Sequence, residues 1–362
     1  NISGNFALTI VAVGNFTQAT NSVRSGSSTI IKEGSGILTL SGQNSFTGAV
    51  TVSTGILRLG ASGGATNTPL GTNAGGVTVS SGAVLDLSTF SLGGASTYET
   101  LNLSGTGISN GGALTFSAST NNNFGAMTVA ANTRIINSGS GTVTFGGTIT
   151  AANGITTAIG GTGPITISGV YGATATSATI TKWGSGTLNI NAASITTGLV
   201  RINGGTINYG VNDALSTPAL TVAGGTLNLA TFNETNIGAV TLIDGSIINS
   251  NGTASLTSTA TYTLEKGTVS AVLGGAVVAA IVKNTAGKVV LSGNNTFNGT
   301  AATIAVNAGY LNLGHSNALG AAASANTTTV LAGATLELEN SITIPSVTAI
   351  TVNGTGVGRN GA

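Results

Sequence analysis

Apolar and polar residues alternate in many short segments of the chain. Leu38 and Leu40 share one parity while Thr39 takes the other, and Leu57 and Leu59 repeat the pattern. A period of two is typical of β-strands that bury one face, because successive side chains point to opposite sides of a sheet. Gly, Ser, Asn and Thr separate these segments and favour tight turns. The pattern therefore predicts short strands, each with one dry face, joined by turns.

The strand pattern recurs in three copies. Residues 32–60 align without a gap with residues 182–210, and a third copy at residues 283–314 has three extra residues around Thr300–Thr303. The insertion predicts a turn at the surface. A second strand pair follows each copy, so the supermodules span approximately residues 32–88, 182–230 and 283–340, with degenerate coils between them. The recurring positions are Lys32, Lys182 and Lys283; Gly36, Gly186 and Gly287; Leu38 and Leu188; Phe46 and Phe297; Gly48 and Gly299; Leu57, Ile207 and Leu311; and Gly60, Gly210 and Gly314.

The interval between equivalent strands predicts a solenoid. Leu38 and Leu57 are 19 positions apart, and Ile207 and Leu227 are 20 positions apart. A meander sandwich would alternate in the same way, but only stacked coils must place similar residues above one another at this interval. We predict an all-β fold, a single-stranded right-handed parallel β-helix of roughly 15–19 coils of about 20 residues, as one continuous domain. The predicted inward side chains include Leu38, Leu57, Leu188, Ile207, Val289 and Leu311.

Composition limits the chemistry that is open to the chain. Its 362 residues include 57 Gly but only 10 Lys+Arg, 9 Asp+Glu and one His, with a formal net charge of +1 and no Cys. Few groups are available for acid–base catalysis, no strong field attracts nucleic acid, and neither a disulfide nor a thiolate metal site can form. The longest apolar run, at residues 271–282, is too short to cross a bilayer as a helix. We expect no cofactor, no nucleic-acid partner and no membrane insertion by this segment.

Two phrases around the copies resemble those of a known family. Residues 32–60 read KEGSGILTLSGQNSFTGAVTVSTGILRLG, and YTLEKGTVSAVLGG at residues 262–275 leads into the third copy. Both resemble the passenger-associated transport repeat of bacterial autotransporter adhesins and its usual lead-in. The copy at residues 182–210 departs from the phrase, with NAAS in place of SGQN and Thr196 in place of Phe46. The resemblance implies a secreted β-helical passenger that is displayed on the bacterial cell surface.

The repeat lysines are the first candidate binding residues. Lys32, Lys182 and Lys283 hold the same position at the start of each copy. An ordered set of cations could bind anionic sugars. The alternative is that each lysine stem covers a strand edge while its ammonium group stays in water, as lysines commonly do. We expect the second arrangement.

Two glutamates and the histidine are the candidates for catalysis. Glu337 and Glu339 have the same parity and project from one face about 7 Å apart, near the carboxylate separation of glycosidases. Leu336 and Leu338 take the core parity, so both carboxylates are expected in water, where nothing separates their pKa values. His315 lies in a predicted loop with no second ligand nearby in sequence. We therefore predict neither a catalytic nor a metal site.

The remaining polar and aromatic candidates are expected to be structural. Asp86, Asp213 and Asp244 are isolated, which does not fit the calcium-binding nonapeptides of other β-rolls. Trp183 and the few other aromatic residues are too scattered for a carbohydrate-stacking platform. Phe46 and Phe297 are predicted to fill the core or a corner, and the matching turn residues Asn44 and Asn295 to bond successive coils.

Three classes of function follow from these patterns. The favoured one is a non-catalytic surface fibre or adhesin segment, outside the cell, with cell-surface or extracellular polysaccharide as a candidate partner. The alternatives are a β-helical protein that binds or degrades polysaccharide, and an ice- or crystal-binding surface made of outward threonines. The phrases GVGRNGA at residues 356–362 and NISGN at residues 1–5 resemble two halves of one passenger motif. We therefore expect either that separate copies stack end to end or that the chain is one unit of a longer tandem array.

Overall fold

The computed structural model of the chain is almost entirely β-structure. It describes residues 2–92, 99–117, 124–172, 177–194, 197–275, 279–297, 302–321, 325–339, 341–345 and 348–359. These fall into two compact units, unit 1 at Asn1–Thr196 and unit 2 at Thr197–Ala362. The helical residues of the described ranges are two 3₁₀ turns, Ile108–Asn110 and Val357–Arg359. No helix in these ranges is long and apolar enough to cross a bilayer.

Unit 1 is a stack of short parallel strands. Its described strands are β1 (Ile2–Ser3), β2 (Ala7–Val11), β3 (Phe16–Thr17), β4 (Arg24–Gly26), β5 (Thr29–Glu33), β6 (Ile37–Leu40), β7 (Ser45–Phe46), β8 (Val50–Val52), β9 (Ile56–Leu59), β10 (Val77–Val79), β11 (Val84–Asp86), β12 (Leu101–Gly105), β13 (Leu114–Phe116), β14 (Met127–Asn137), β15 (Val143–Phe145), β16 (Ile149–Ala151), β17 (Thr156–Gly161), β18 (Ile165–Ile167), β19 (Thr179–Trp183) and β20 (Thr187–Ile190). One ladder runs β2–β5–β8–β10–β12, a second runs β3–β6–β9–β11–β13, and a third joins β1, β4 and β7. The long strand β14 continues the first two ladders into β16 and β17. Successive coils thus stack by parallel pairing of equivalent strand positions in the first two ladders.

Unit 2 has the same parallel arrangement. Its described strands are β21 (Leu199–Ile202), β22 (Thr206–Tyr209), β23 (Ala219–Asn228), β24 (Glu234–Ile237), β25 (Val240–Ile248), β26 (Ser255–Ser258), β27 (Tyr262–Leu264), β28 (Gly267–Val269), β29 (Val272–Gly274), β30 (Ala279–Lys283), β31 (Lys288–Leu291), β32 (Thr303–Val306), β33 (Gly309–Leu313), β34 (Thr327–Val330), β35 (Ala334–Leu338) and β36 (Ala349–Val352). One ladder runs β21–β23–β25–β27–β30–β32–β34–β36, and a second runs β22–β23–β25–β28–β31–β33–β35. Strands β24, β26 and β29 form a third.

The fold is therefore the predicted parallel β-solenoid, with somewhat longer coils. Its coils average about 22 residues, and there are about 14 of them, against the predicted 15–19 coils of about 20 residues. Leu38 pairs with Leu57, as the 19-residue interval predicted, but Leu57 pairs next with Leu85, 28 residues further on. The strands keep their length while the corners between them vary, so a local interval underestimates the mean coil. Continuity over residues 1–362, the supermodule boundaries and the right-handed sense stay predictions.

The core consists of the side chains of inward parity. The six predicted inward residues, Leu38, Leu57, Leu188, Ile207, Val289 and Leu311, are fully buried. Phe46 and Phe297 are also fully buried. In unit 1 the rings of Phe116, Phe124 and Phe145 pack together with centroids 5.1–6.3 Å apart. Burying an aliphatic side chain of this size contributes about 1.5–3 kcal/mol, so stacked coils supply the stability that a single coil lacks.

The outer side of unit 1 carries a row of threonines along its first ladder. In pairing order the row is Thr9, Ile31, Thr51, Thr78, Asn102, Thr128 and Thr150. Strands in such a ladder stand about 4.8 Å apart. Ile31 and Asn102 interrupt the hydroxyl row, and each of the other five strands contributes one threonine to it. This row therefore differs from the paired, uninterrupted threonines on which the crystal-binding alternative depends.

Candidate functional site

The repeat lysines are buried, which makes the prediction of hydrated ammonium groups wrong. Lys32, Lys182 and Lys283 are each at most 1 % exposed. The Nζ atom of Lys32 donates hydrogen bonds of 2.8–3.0 Å to three backbone carbonyls, those of Glu33, Gly34 and Thr54. An ammonium group has three donors, so burial leaves none of them unsatisfied. We call each buried lysine with its carbonyl acceptors a lysine clamp.

The clamp recurs in the other two copies with partly different acceptors. Lys182 Nζ donates to the carbonyls of Trp183 and Gly184 at 2.9 and 3.1 Å. Lys283 Nζ donates to the carbonyl of Thr285 and, at 3.0 Å, to that of Glu265 in the preceding coil. Loss of hydration lowers the pKa of all three lysines, to about 8 for Lys182. The clamps join backbone segments inside the solenoid, so these ammonium groups form no exposed cation set for anionic sugars.

A glycine of the next coil lies directly over the first clamp. Gly55 has φ +72°, and a Cβ there would lie 2.6 Å from Lys32 Nζ. The equivalent Gly205 and Gly309 also have positive φ, +64° and +70°. The repeat therefore requires glycine at this corner for both its backbone conformation and its space.

Replacing Gly55 by alanine is expected to destabilise unit 1 more than the same change at Gly82. Gly82 has a similar φ of +82° but nothing within 4 Å of the Cβ position. Both variants bear the conformational cost of a left-handed alanine, about 1–2 kcal/mol, and G55A adds about 1–3 kcal/mol for crowding. Urea titrations of the two variants measure the difference. Equal midpoints for G55A and G82A would show that the clamp leaves room for a methyl group.

Asparagine side chains form hydrogen bonds between successive coils at another corner, as predicted. Asn295 accepts a hydrogen bond from the N–H of Leu273 in the coil below and donates one to the carbonyl of Ala318 in the coil above. Asn44 makes the same pair of bonds, accepting from the N–H of Arg24 and donating to the carbonyl of Pro69. In the divergent second copy Ser194 takes this position and donates from Oγ to the carbonyl of Tyr171.

Two buried carboxyl groups were not predicted from the sequence. Glu234 is fully buried, and its Oε2 accepts from Tyr209 Oη at 3.1 Å and from the N–H of Leu215 at 2.9 Å. Glu99 is 1 % exposed, and its Oε1 accepts from Thr68 Oγ1 at 3.4 Å. Burial raises the pKa of Glu234 to about 7 and that of Glu99 to about 8. Both groups titrate near neutral pH inside the solenoid, where a substrate has no access to them.

The two glutamates of the catalytic hypothesis share one lysine. Lys288 Nζ lies 2.8 Å from Glu337 Oε2 and 3.7 Å from Glu339 Oε1, and all three side chains are at least one-third exposed. The hydrogen bond from Lys288 lowers the pKa of Glu337. Leu338 has the core parity but is 53 % exposed, because no further strand is paired above it within the described residues. Both carboxyl groups thus lie at the surface beside a cation, as expected of a solvated face.

The other polar candidates have structural partners. His315 lies in a bend and accepts at Nδ1 from the N–H of Asn317 at 3.0 Å. Asp86 pairs with Arg58, and Asp244 pairs with Lys266, both at 2.8 Å. Within the described part of the chain, no three His, Cys, Asp or Glu side chains gather where they could hold a metal ion. The repeat glycine Gly299 and half of the predicted insertion turn, residues 300–301, lie outside the described residues.

The other repeat glycines lie at corners between strands. Gly36 and Gly186 directly precede strands, and Gly287 does the same in the third copy. A Cβ on Gly186 or Gly48 would meet the backbone of the coil below, at Gly163 and Ser28 respectively. Gly60, Gly210 and Gly314 directly follow strands β9, β22 and β33. These positions shape the corners and carry no reactive group.

Comparison with known proteins adds one result to this geometry. Residues 30–59, 180–208 and 281–313 match the family model of the passenger-associated-transport-repeat. The chain carries three passenger-associated-transport repeats. Each match contains the lysine of one clamp. No curated protein and no solved structure matches the chain significantly. The repeats imply secretion to the cell surface, and together with the solenoid fold they support an extracellular passenger domain.

Proposed function

We propose that the chain is a non-catalytic segment of a bacterial surface fibre or adhesin. The proposal rests on the contacts that the ionisable groups of the repeat make. The recurring lysines bind backbone carbonyls inside the coils, and the paired glutamates hold a surface lysine. The recurring polar residues of this passenger repeat stabilise the stack of coils. A repeat of this kind is suited to a structural role at the cell surface rather than to catalysis.

Exposed core positions on three edge strands support assembly end to end. Phe16, Leu338 and Val352 are 53, 53 and 48 % exposed, although they have the inward parity. Their partners in the adjacent coil, Leu38, Leu313 and Val330, are fully buried. An edge that combines unpaired backbone groups with open apolar positions favours addition of another strand. A head-to-tail contact of this kind does not close on itself and produces a thread.

Electron microscopy of the purified chain tests this assembly. We expect threads one solenoid wide that lengthen with protein concentration. Val352→Asp places a charge in the proposed contact and should leave separate particles, whereas Ile243→Asp, at an exposed outward position of the same unit, should leave the threads unchanged. Separate wild-type particles at every concentration, or equal loss of threads in both variants, would refute end-to-end stacking.

A further inference from the structure

An arginine and a tryptophan are stacked on the outer side of unit 1. Ile135 and Ile159 are inward and buried, so their neighbours Arg134 and Gly160 take the outward parity. Gly160 pairs with Trp183, and a Cβ on Gly160 would lie 2.7 Å from the indole carbons Cδ2 and Cε2. The indole therefore lies directly against the backbone of β17 at Gly160, which has no side chain. The guanidinium carbon of Arg134 lies 3.6 Å from the centroid of the ring.

The guanidinium group has no anionic partner within the described residues. The Arg134 side chain forms no ion pair and no hydrogen bond there, and its Nε atom is buried without a partner. Two other arginines differ. Arg58 pairs with Asp86 at 2.8 Å, and Arg201 donates from Nε to Asn203 Oδ1 at 2.7 Å. Stacking on the indole compensates part of the lost hydration and holds the plane of the guanidinium, but its N–H donors remain available.

Threonines occupy outward positions on the two strands that follow Arg134 in the ladder. Thr156 and Thr179 are paired neighbours of outward parity, and Thr181 pairs with Ala158 on the strand position next to Arg134. All three threonines are half-buried. A fixed planar fork of donors matches the two oxygens of a carboxylate. The hydroxyls beside it can bond to alcohol groups of the same ligand, and the net charge of +1 provides no general attraction for a dense polyanion.

We propose that Arg134 and Trp183 form a binding site for the carboxylate of an acidic polysaccharide, of the uronic acid type. The inference rests on the proposed surface function, since such polymers are met outside the cell. Arg134 binds the carboxylate through its terminal nitrogens. Trp183 and Gly160 position the guanidinium, and the flanking threonines bind sugar hydroxyls.

Fluorescence gives a site-specific test, because Trp183 is the single tryptophan of the chain. Titration of the full chain with oligogalacturonate should change the emission saturably, while a neutral oligosaccharide of equal length should not. Arg134→Lys keeps the charge but loses the fork, and Arg134→Gln loses both. We expect at least tenfold weaker binding for R134K and no measurable binding for R134Q, whereas R201Q should bind like the wild type.

Controls separate this site from folding and from assembly. Wild-type circular dichroism spectra of R134K and R134Q would exclude loss of structure, and calorimetry would confirm the affinities without the fluorophore. Equal binding of the neutral oligosaccharide, unchanged binding in R134Q, or no binding to millimolar concentration would overturn the proposal. Preference for a sulfated oligosaccharide would overturn its carboxylate specificity. None of these results affects end-to-end assembly, which is read from micrographs and does not involve Arg134.

Discussion

Lys283→Met is expected to lower the unfolding free energy of unit 2 by about 3 kcal/mol, because it removes the buried ammonium group that donates to two backbone carbonyls. Methionine keeps most of the length and volume of the lysine stem, so the variant removes the ammonium group with little change in packing. The carbonyls of Glu265 and Thr285 then lose the Nζ donor that joins two coils. Urea titration measures the global effect. Hydrogen exchange at residues 262–291 locates it, since a solenoid can open coil by coil.

Lys266→Met is the matched control for this variant. Lys266 lies in the same unit and forms an ion pair of 2.8 Å with Asp244, but both side chains are about half exposed. Water screens exposed pairs of this kind, so K266M should change the midpoint little. Equal effects of K283M and K266M would contradict the clamp as a stabilising contact.

The burial of the repeat lysines was wrongly predicted, although the alternation of the strands pointed to it. Lys32 has the parity of Ile30, and Lys283 has that of Ile281, both of which are fully inward. The parity therefore indicated burial. The general preference of lysine for water argues against the parity, and a sequence does not show that several turn carbonyls converge on one point. Only the stacked backbone supplies those acceptors.

The fold was more predictable than the candidate site. Alternation indicates strands with one buried face, and the repeat interval indicates that these strands stack in coils. A predicted 20-residue interval corresponds to the observed pairing of Ile207 with Leu227. Corner lengths were not predictable in this way, since the 28-residue step from Leu57 to Leu85 leaves no periodic signal. The buried carboxyls were missed for a related reason. Glu99 and Glu234 lie outside the aligned copies, so no equivalent residue marked them.

The stability of unit 2 is expected to fall as pH rises from about 4.5 to 8, through ionisation of Glu234. Burial raises its pKa to about 7, so the folded chain holds the proton more tightly than the unfolded chain, whose glutamate has its ordinary pKa. Stability from this group is complete below the unfolded pKa and is lost as pH rises towards the folded pKa. A difference of this size corresponds to a loss on the order of 3 kcal/mol. Hydrogen exchange at residues 206–237, measured across this pH range, reports it locally.

Glu234→Gln isolates this contribution, because glutamine is nearly isosteric and stays neutral. Its side-chain oxygen can still accept from Tyr209 Oη and from the N–H of Leu215. We expect E234Q to protect this segment about equally at pH 5 and pH 8, and to exceed the wild type at pH 8. Glu337→Gln provides a control of opposite sign. Lys288 lowers the pKa of Glu337, so that glutamate stabilises the fold above its unfolded pKa and the stability is lost on acidification. If the pH dependence of protection seen in the wild type persists in E234Q, a group other than Glu234 causes it.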